Sequence, residues 1–228
     1  MRVVFFDIDG TLLMTNGAGK KAIESCLSDH FKVNNPNADI DYGGRTDMSL
    51  IRELFQLNGL KEPTIDDISL FFGDYVARLK AELQISGSTI LPGVAQLLSA
   101  LEADDRYELG IITGNIEEGA EAKLSHHNIQ NFFRFGGYGN RMPKRDDIAR
   151  EGLAAAEDHL DRKLDGKQCL VIGDTPHDII CSRAIGAYSV AVGTGYSNHE
   201  SLLKESPTMF FENLADTQQV LRSFDELF

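Results

Sequence analysis

The sequence is poor in cysteine and in positive charge, and it has no long apolar run. Its 228 residues include three cysteines, Cys26, Cys169 and Cys181, with no paired spacing. So sparse and odd a count offers no disulfide framework. It fits reduced thiols in a cytoplasmic protein, each acting as a small buried hydrophobe. Lys and Arg total 22 against 35 Asp and Glu, a formal net charge of −13. A nucleic-acid backbone is bound by Lys and Arg that neutralise phosphates, so a nucleic-acid partner is not expected. A small phosphorylated substrate is not excluded, because a metal ion and one or two local cations override the global field at a single site. No apolar stretch approaches the length of a membrane span, and the N-terminus lacks a signal-peptide series, so no membrane partner is expected. Internal repeats and low-complexity segments are absent. What remains is ordinary for a soluble globular protein, 42% hydrophobic and 25% charged.

Short apolar runs bounded by Gly or polar residues recur along the chain: "VVFF" (3–6), "YELGII" (107–112), "FFRFGG" (132–137), "CLVIG" (169–173), "YSVAV" (188–192) and "TMFF" (208–211). They read as buried parallel strands. Segments of helical periodicity lie between them, at 116–127, 145–160 and 176–185. Alternation of this kind predicts a doubly wound, Rossmann-like α/β parallel sheet. Residues 16–88 break the rhythm with consecutive helical patterns and no strand of comparable strength. The chain is therefore expected to leave an α/β core (1–15 and 89–228) for an inserted α-helical cap domain (16–88), with hinges near Leu13–Gly17 and Ser86–Pro92.

Ligands of open α/β sheets bind beyond the carboxyl ends of the strands. Asp7 and Asp9 follow the first strand, and Thr113, Gly114 and Asn115 follow the second. Asp174 and Asp178 follow the strand ending near Gly173, and Lys144 and Arg145 open a helix between these groups. Each has a plain structural alternative. Asp9-Gly10 favours a turn, Asn115 is a good N-cap, Thr175 and Asp178 have capping-box spacing, and Lys144 and Arg145 are ordinary surface charges. Convergence of all of them on one rim is what these alternatives do not explain.

"DIDGT", "TGN", a basic residue before a helix and "GDTPHD" resemble, in order and separation, the four motifs of the haloacid dehalogenase superfamily. The helical excursion is similar to the cap of its phosphoglycolate-phosphatase-like members. The resemblance covers essentially the whole chain and implies hydrolysis of a small phosphorylated metabolite through an aspartyl-phosphate. Asp7 would be the nucleophile, and Asp9 the acid that protonates the leaving alkoxide and then takes a proton from water. Asp7 and Asp174 offer hard oxygens suited to Mg²⁺, the resemblance adds the Asp9 backbone carbonyl, and Asp178 would reach the metal through water. Thr113, Gly114 and Asn115 would hold the phosphate. The usual Lys-Pro is replaced by "MPKRDD", which leaves both Lys144 and Arg145 as phosphate-binding candidates: residue type favours Lys144, helix position Arg145.

"NGAGKKA" (16–22) imitates a phosphate loop but lacks its G-x-x-x-x-G-K-[ST] spacing. Its glycines are expected to form a hinge, and Lys20 and Lys21 to be solvated. In "YGGRTDMSLIREL" (42–54), Thr46 and Asp47 suit a helix start, and Arg45 is the candidate cap residue for substrate specificity. Competing readings are a mutase of the β-phosphoglucomutase type, which returns the phosphoryl group to a sugar, and a phosphate-binding module without catalysis. A haloacid dehalogenase would leave Asp9 without a role, and a phosphonate hydrolase would need a Schiff-base lysine. His126, His127 and His177 identify no substrate, and neither the substrate nor the oligomeric state is legible.

Overall fold

The computed structural model describes residues 1–140 and 144–228. In chain order the elements are β1 (Arg2–Phe6), β2 (Leu13–Met14), α1 (Ala18–Phe31), α2 (Asp47–Leu57), α3 (Ile65–Ile85), β3 (Thr89–Ile90), α4 (Val94–Glu102), β4 (Tyr107–Ile112), α5 (Glu117–His126), β5 (Phe135–Gly137), α6 (Arg145–Leu160), β6 (Cys169–Gly173), α7 (Pro176–Ala184), β7 (Tyr188–Val192), α8 (His199–Lys204), β8 (Met209–Phe211) and α9 (Thr217–Leu227).

β1 consists of β-branched and aromatic residues that bury both faces of a strand. Val4 and Phe6 join a cluster with Leu97 and Leu101 of α4, Leu124 of α5, and Val220 and Phe224 of α9. Val3 and Phe5 point the other way, into a cluster with Ile148 and Ala149 of α6 and Cys181 of α7. Period-two alternation with both faces apolar demands helices on both sides, and the result is a three-layer α/β/α core. The six-stranded sheet runs β5-β4-β1-β6-β7-β8, and every neighbouring pair is parallel. From β1 the chain moves outward to β4 and β5, then returns to β6 on the other flank. The order therefore reverses between β1 and β6, where α/β sheets open their ligand crevice. Asp7 and Asp174 stand at those two strand ends.

The run 132–137 is strand only from Phe135. Gln130–Phe132 forms a 3-10 turn whose end is closed by the Phe133 N–H donating to the Gln130 carbonyl at 3.2 Å. The helices α8 and α9 were not anticipated. α9 rests on a short amphipathic pattern, with Val220 and Phe224 buried one turn apart and Asp216 accepting from the Gln219 N–H at 2.9 Å.

The helices α1, α2 and α3 form a separate excursion above the strand ends. Their core joins Leu27, Leu54, Phe71 and Leu79, with the Phe31 and Phe55 rings edge-on at 4.6 Å. α5 serves both parts: Ala120 and Leu124 face the sheet, and Ile116 and Ala122 enter the excursion's core. The two crossings between the parts pair with each other, β2 antiparallel to β3. Ser88 Oγ donates to the Met14 carbonyl at 3.0 Å, and Asn16 Nδ2 to the Gly87 carbonyl at 2.7 Å. No helix among the described residues is long and apolar enough to cross a membrane. Cys26, Cys169 and Cys181 are buried and free, and burial pushes each thiol up to about 12.

Candidate active site

β1 ends at Phe6, and the Asp7 N–H still donates to the Ile172 carbonyl at 2.9 Å. That bond fixes Asp7 on the rim beside β6. The chain then coils tightly. The Leu12 N–H donates to the Ile8 carbonyl at 2.9 Å, and the Gly10 N–H to the Leu13 carbonyl at 2.9 Å. Gly10 has φ 83°, and a Cβ there would run into the Asp174 carboxylate. Glycine is therefore required twice over, by backbone conformation and by space. Thr11 Oγ1 donates to Asp174 Oδ1 at 3.1 Å and orients it.

Carboxylate oxygens of Asp7, Asp174 and Asp178 lie within 4.8 Å of one another, all buried. Arg145, at the start of α6, reaches into the group. Its guanidinium pairs with Asp178 and stands 3.6 Å from Asp7. Burial by itself would make the guanidinium easier to deprotonate; Asp178 and Asp7 more than offset this and hold its proton. One cation does not balance three acids. Burial, reinforced by the Asp178 and Asp9 charges against the opposing pull of Arg145, raises the Asp7 carboxyl to about 7. Asp174 is raised well above the ordinary range, by burial and by repulsion from Asp178 and Asp7. Buried hard oxygens with surplus negative charge are a donor set that suits a divalent cation. Asp178 is the most occupied of the three. It also accepts from the Thr175 N–H at 3.0 Å and from Thr175 Oγ1 at 2.7 Å, closing the capping box of α7. The capping reading and the site reading of Asp178 thus hold together.

Asp9 lies outside that cluster and is more open to solvent. Its Oδ2 accepts from Lys123 Nζ at 2.6 Å and from Asn115 Nδ2 at 2.8 Å. Lys123 is buried and also donates to Asn115 Oδ1 at 2.6 Å. Asn115 Nδ2 donates further to Thr113 Oγ1 at 2.8 Å. The rim therefore carries two cationic nodes, Arg145 among the buried acids and Lys123 beside Asp9.

Asn115 does not cap α5. The N-cap position is Ile116, and the helix's free N–H groups are met from elsewhere: Ile116 donates to Asp47 Oδ2 at 2.8 Å and Glu117 to Asn140 Oδ1 at 2.6 Å. Asp47 comes from the excursion, and its own N–H donates to the Gly114 carbonyl at 2.8 Å. A Cβ on Gly114 would strike the Arg45 carbonyl, so glycine permits this approach. Burial pushes the Asp47 carboxyl up to about 6. Thr46 caps α2, accepting from the Ser49 N–H at 3.1 Å.

Of the two candidate cations in "MPKRDD", the rim receives Arg145. Lys144 occupies the N-cap of α6 and its side chain is exposed. Residue type favoured Lys144, but the first turn of α6 directs Arg145 inward and leaves its predecessor in solvent. Met142 and Pro143 lie outside the described residues. Lys20 lines the cavity and pairs with Asp39 at 3.4 Å, and Lys21 is more exposed. Gly17, with φ 85°, precedes α1 as a turn. His177 is an exposed residue at the start of α7 that also borders the cavity.

Asp7, Asp9, Thr113, Gly114, Asn115, Arg145, Asp174 and Arg45 all line one cavity of about 670 Å³, and Asp178 lies behind it. Lys123 and Asp47 were missed from sequence. Lys123 carried a signal: it falls in the register of a buried stripe, with Ile116, Ala120 and Leu124, where an unpaired lysine would be costly. Asp47 had none beyond capping type.

A family model described as haloacid dehalogenase-like hydrolase matches residues 4–192. A phosphoglycolate phosphatase of Pseudomonas fluorescens is 24% identical over 93% of this chain and 77% of its own length. Among solved structures, a predicted phosphoglycolate phosphatase from Haemophilus somnus aligns at TM-score 0.73 and 22% identity, covering 97% of this chain and 98% of that one. A β-phosphoglucomutase from Clostridium difficile aligns at TM-score 0.73 and 17% identity, covering 99% and 98%. These two show a shared fold. The chain belongs to the haloacid dehalogenase-like hydrolase family, as an enzyme of the phosphatase kind that its curated relatives represent.

Proposed function

We propose that this protein is a Mg²⁺-dependent phosphatase, similar to phosphoglycolate phosphatase, that hydrolyses a small phosphorylated metabolite through an aspartyl-phosphate. The observation that carries the reading is the grouping of Asp7, Asp174 and Asp178 around Arg145, with Asp9 beside it on Lys123. A carboxylate nucleophile splits one difficult displacement into two easier ones. An Asp7 oxygen forms a bond to phosphorus as the bond to the leaving oxygen breaks, and Asp9 gives that oxygen its proton. Asp9, now a carboxylate, takes a proton from a water that attacks the phosphorus. Phosphate leaves, and Asp7 and Asp9 return to their starting forms.

Arg145 is the cation placed to meet phosphoryl oxygens, and its buried Nε has no partner among the described residues. The Thr113 hydroxyl and the N–H groups of Gly114 and Asn115 complete the anion site. Asp7 and Asp174, with the Asp9 carbonyl, would hold Mg²⁺, and Asp178 would act through water. The ion supplies the positive charge that this acid-rich site lacks. The excursion acts as the cap: Asp47 bonds it to Gly114 and Ile116, and the closed arrangement keeps bulk water from the first step. Arg45 is the cap's specificity residue. The buried thiols suit a reducing compartment, and we place the protein in the cytoplasm.

Release of free phosphate from p-nitrophenyl phosphate, with and without Mg²⁺, tests the assignment. Turnover should require the ion and fall by about a thousandfold or more in Asp7→Asn. A wild-type protein that binds Mg²⁺ and releases no phosphate would defeat the enzyme reading. Full activity in Asp7→Asn would defeat the mechanism.

A further inference from the structure

The leaving group sits in the part of the cavity built by the excursion, and the chemistry of that wall limits what it accepts. Three observations bear on it. The first is size. A volume of about 670 Å³ falls in the range of pockets that enclose ligands of drug-like dimensions. A phosphoryl group with glycolate fills only a small fraction of it. The second is polarity. Ile23 of α1, Leu50 of α2 and Tyr75 of α3 line the cavity, and each is almost wholly shielded from solvent. Packed apolar walls favour an apolar or aromatic face on the ligand.

The third is charge. Each Lys and Arg among the described lining residues already has a carboxylate partner. Lys20 pairs with Asp39 at 3.4 Å, Arg45 with Glu53 at 2.5 Å, Lys123 with Asp9 at 2.6 Å, and Arg145 with Asp178. Arg145 and Lys123 belong to the phosphoryl end, so the excursion's own lining cations among the described residues are Lys20 and Arg45, and each already faces a carboxylate. Asp41 and Asp47 line the same wall with no ion-pair partner among the described residues. A carboxylate on the leaving group would enter a chamber with no free cation among the described residues and two further acids, an arrangement that costs affinity.

We infer that the substrate is a phosphomonoester of an uncharged alcohol, larger than glycolate and with an apolar or aromatic face, and that a carboxylate-bearing alcohol is selected against. The inference rests on the phosphatase reading above. It assigns Glu53 a new part: it silences Arg45 as an anion receptor. It also makes Gly19 a gatekeeper of size. Gly19 lies in the first turn of α1, and a Cβ there would meet one atom within 4 Å, the Tyr75 hydroxyl at 3.6 Å. A larger side chain at 19 would extend into the chamber.

The test compares benzyl phosphate with 2-phosphoglycolate. Both leaving groups are primary alkoxides, so intrinsic leaving ability is matched and the difference reports recognition. We expect kcat/KM for benzyl phosphate to exceed that for 2-phosphoglycolate by about tenfold or more. Glu53→Gln should raise kcat/KM for 2-phosphoglycolate by about fivefold, through KM, and leave benzyl phosphate within about twofold. Gly19→Leu, at a position where leucine favours the helix, should lower benzyl phosphate turnover by about tenfold and spare 2-phosphoglycolate. A wild-type preference for 2-phosphoglycolate would overturn the inference and leave the phosphatase reading standing. So would a Glu53→Gln variant with an unchanged ratio, or a Gly19→Leu variant that loses both substrates equally while its melting temperature holds. Failure to release phosphate from either ester and from p-nitrophenyl phosphate would overturn both readings together.

Discussion

The α/β core and the helical excursion treat charge in opposite ways. On the outer helix faces of the excursion, away from the cavity, acids find partners nearby and half in solvent. Asp74 accepts from His30 at 2.7 Å and Arg78 at 2.5 Å, and Arg78 continues to Asp29 at 2.8 Å. Asp74 is held below the usual carboxylate range, first by its bond from Arg78 and then by that from His30. In the core, Asp7, Asp174 and Asp178 are buried together around a single guanidinium among the described residues, and Asp7 and Asp174 are driven upward. The excursion's pairs are solved locally on neighbouring helix faces. The core's excess is maintained by the backbone of strand ends, which does not yield to relieve it. Retaining unbalanced buried charge costs stability, and the family's chemistry gives that charge its use.

The contact between the two parts combines apolar packing on α5 with a specific polar joint. It includes one point of backbone and carboxylate, the Asp47 N–H on Gly114 and Asp47 Oδ2 on the Ile116 N–H, beside the apolar face where Ile116 and Ala122 enter the excursion's core.

The contrast is open to direct attack, and the largest effect belongs to the core. Arg145→Ala removes the one cation that the described residues place among the buried acids. Phosphatase turnover should fall by about two to three orders of magnitude, measured on protein whose circular dichroism shows it folded. Retained activity would remove Arg145 from the site. Lys123→Met comes next, because it strips Asp9 and Asn115 of their shared donor. A loss in kcat of about tenfold to a hundredfold is expected, with partial recovery in Lys123→Arg. Equal activity in Lys123→Met would reduce Lys123 to a structural ion pair.

A third variant separates the two cores. Leu79→Ala, in the middle of α3, should cost about 3 kcal/mol. Hydrogen exchange should show the loss of protection in α1–α3 while β1, β4 and β6 keep theirs. Uniform loss across all amides would show that the parts unfold as one. The fourth is a pH effect at the joint. Burial lifts the Asp47 carboxyl from 3.8 to about 6, so the folded chain holds this proton to higher pH than the unfolded chain. The resulting stability is complete below about pH 4 and is lost as pH rises through 6. Asp47→Asn keeps a carbonyl for the Ile116 N–H and cannot titrate. Its urea midpoint should decline less than the wild type's between pH 4 and 6, and parallel declines would refute the assignment. The smallest effect is expected from Lys144→Ala, an exposed residue beside Arg145: activity within about twofold of wild type.

Much of this architecture was readable from residue pattern. The apolar runs of β1, β4, β6 and β7 alternate with helical segments, and parallel strands buried on both faces leave no other arrangement. Asp7, Asp9 and Asp174 were visible as acids where apolar strands stop. β5 was overextended because Phe132 and Phe133 are as apolar as a strand, though the chain turns there. α9 was overlooked because two buried residues one turn apart are too weak a pattern beside so many polar neighbours. The pairings of Lys123 and Asp47 were hidden for a different reason, although a lysine in a buried register marked Lys123 itself. Their partners, Asp9 and Ile116, are distant along the chain, and no local spacing encodes such a pairing.

The sequence by itself determined the central strands β1, β4, β6 and β7, the rim on which the acids gather and the break at which the helices are inserted, because hydrophobic period and strand-end chemistry are local properties. Only the tertiary structure decided which of Lys144 and Arg145 enters the rim, which cations are already paired, and what stops the first turn of α5. Those outcomes depend on the direction of side chains and the closeness of segments far apart in the chain, which are settled when the sheet and the three excursion helices pack together.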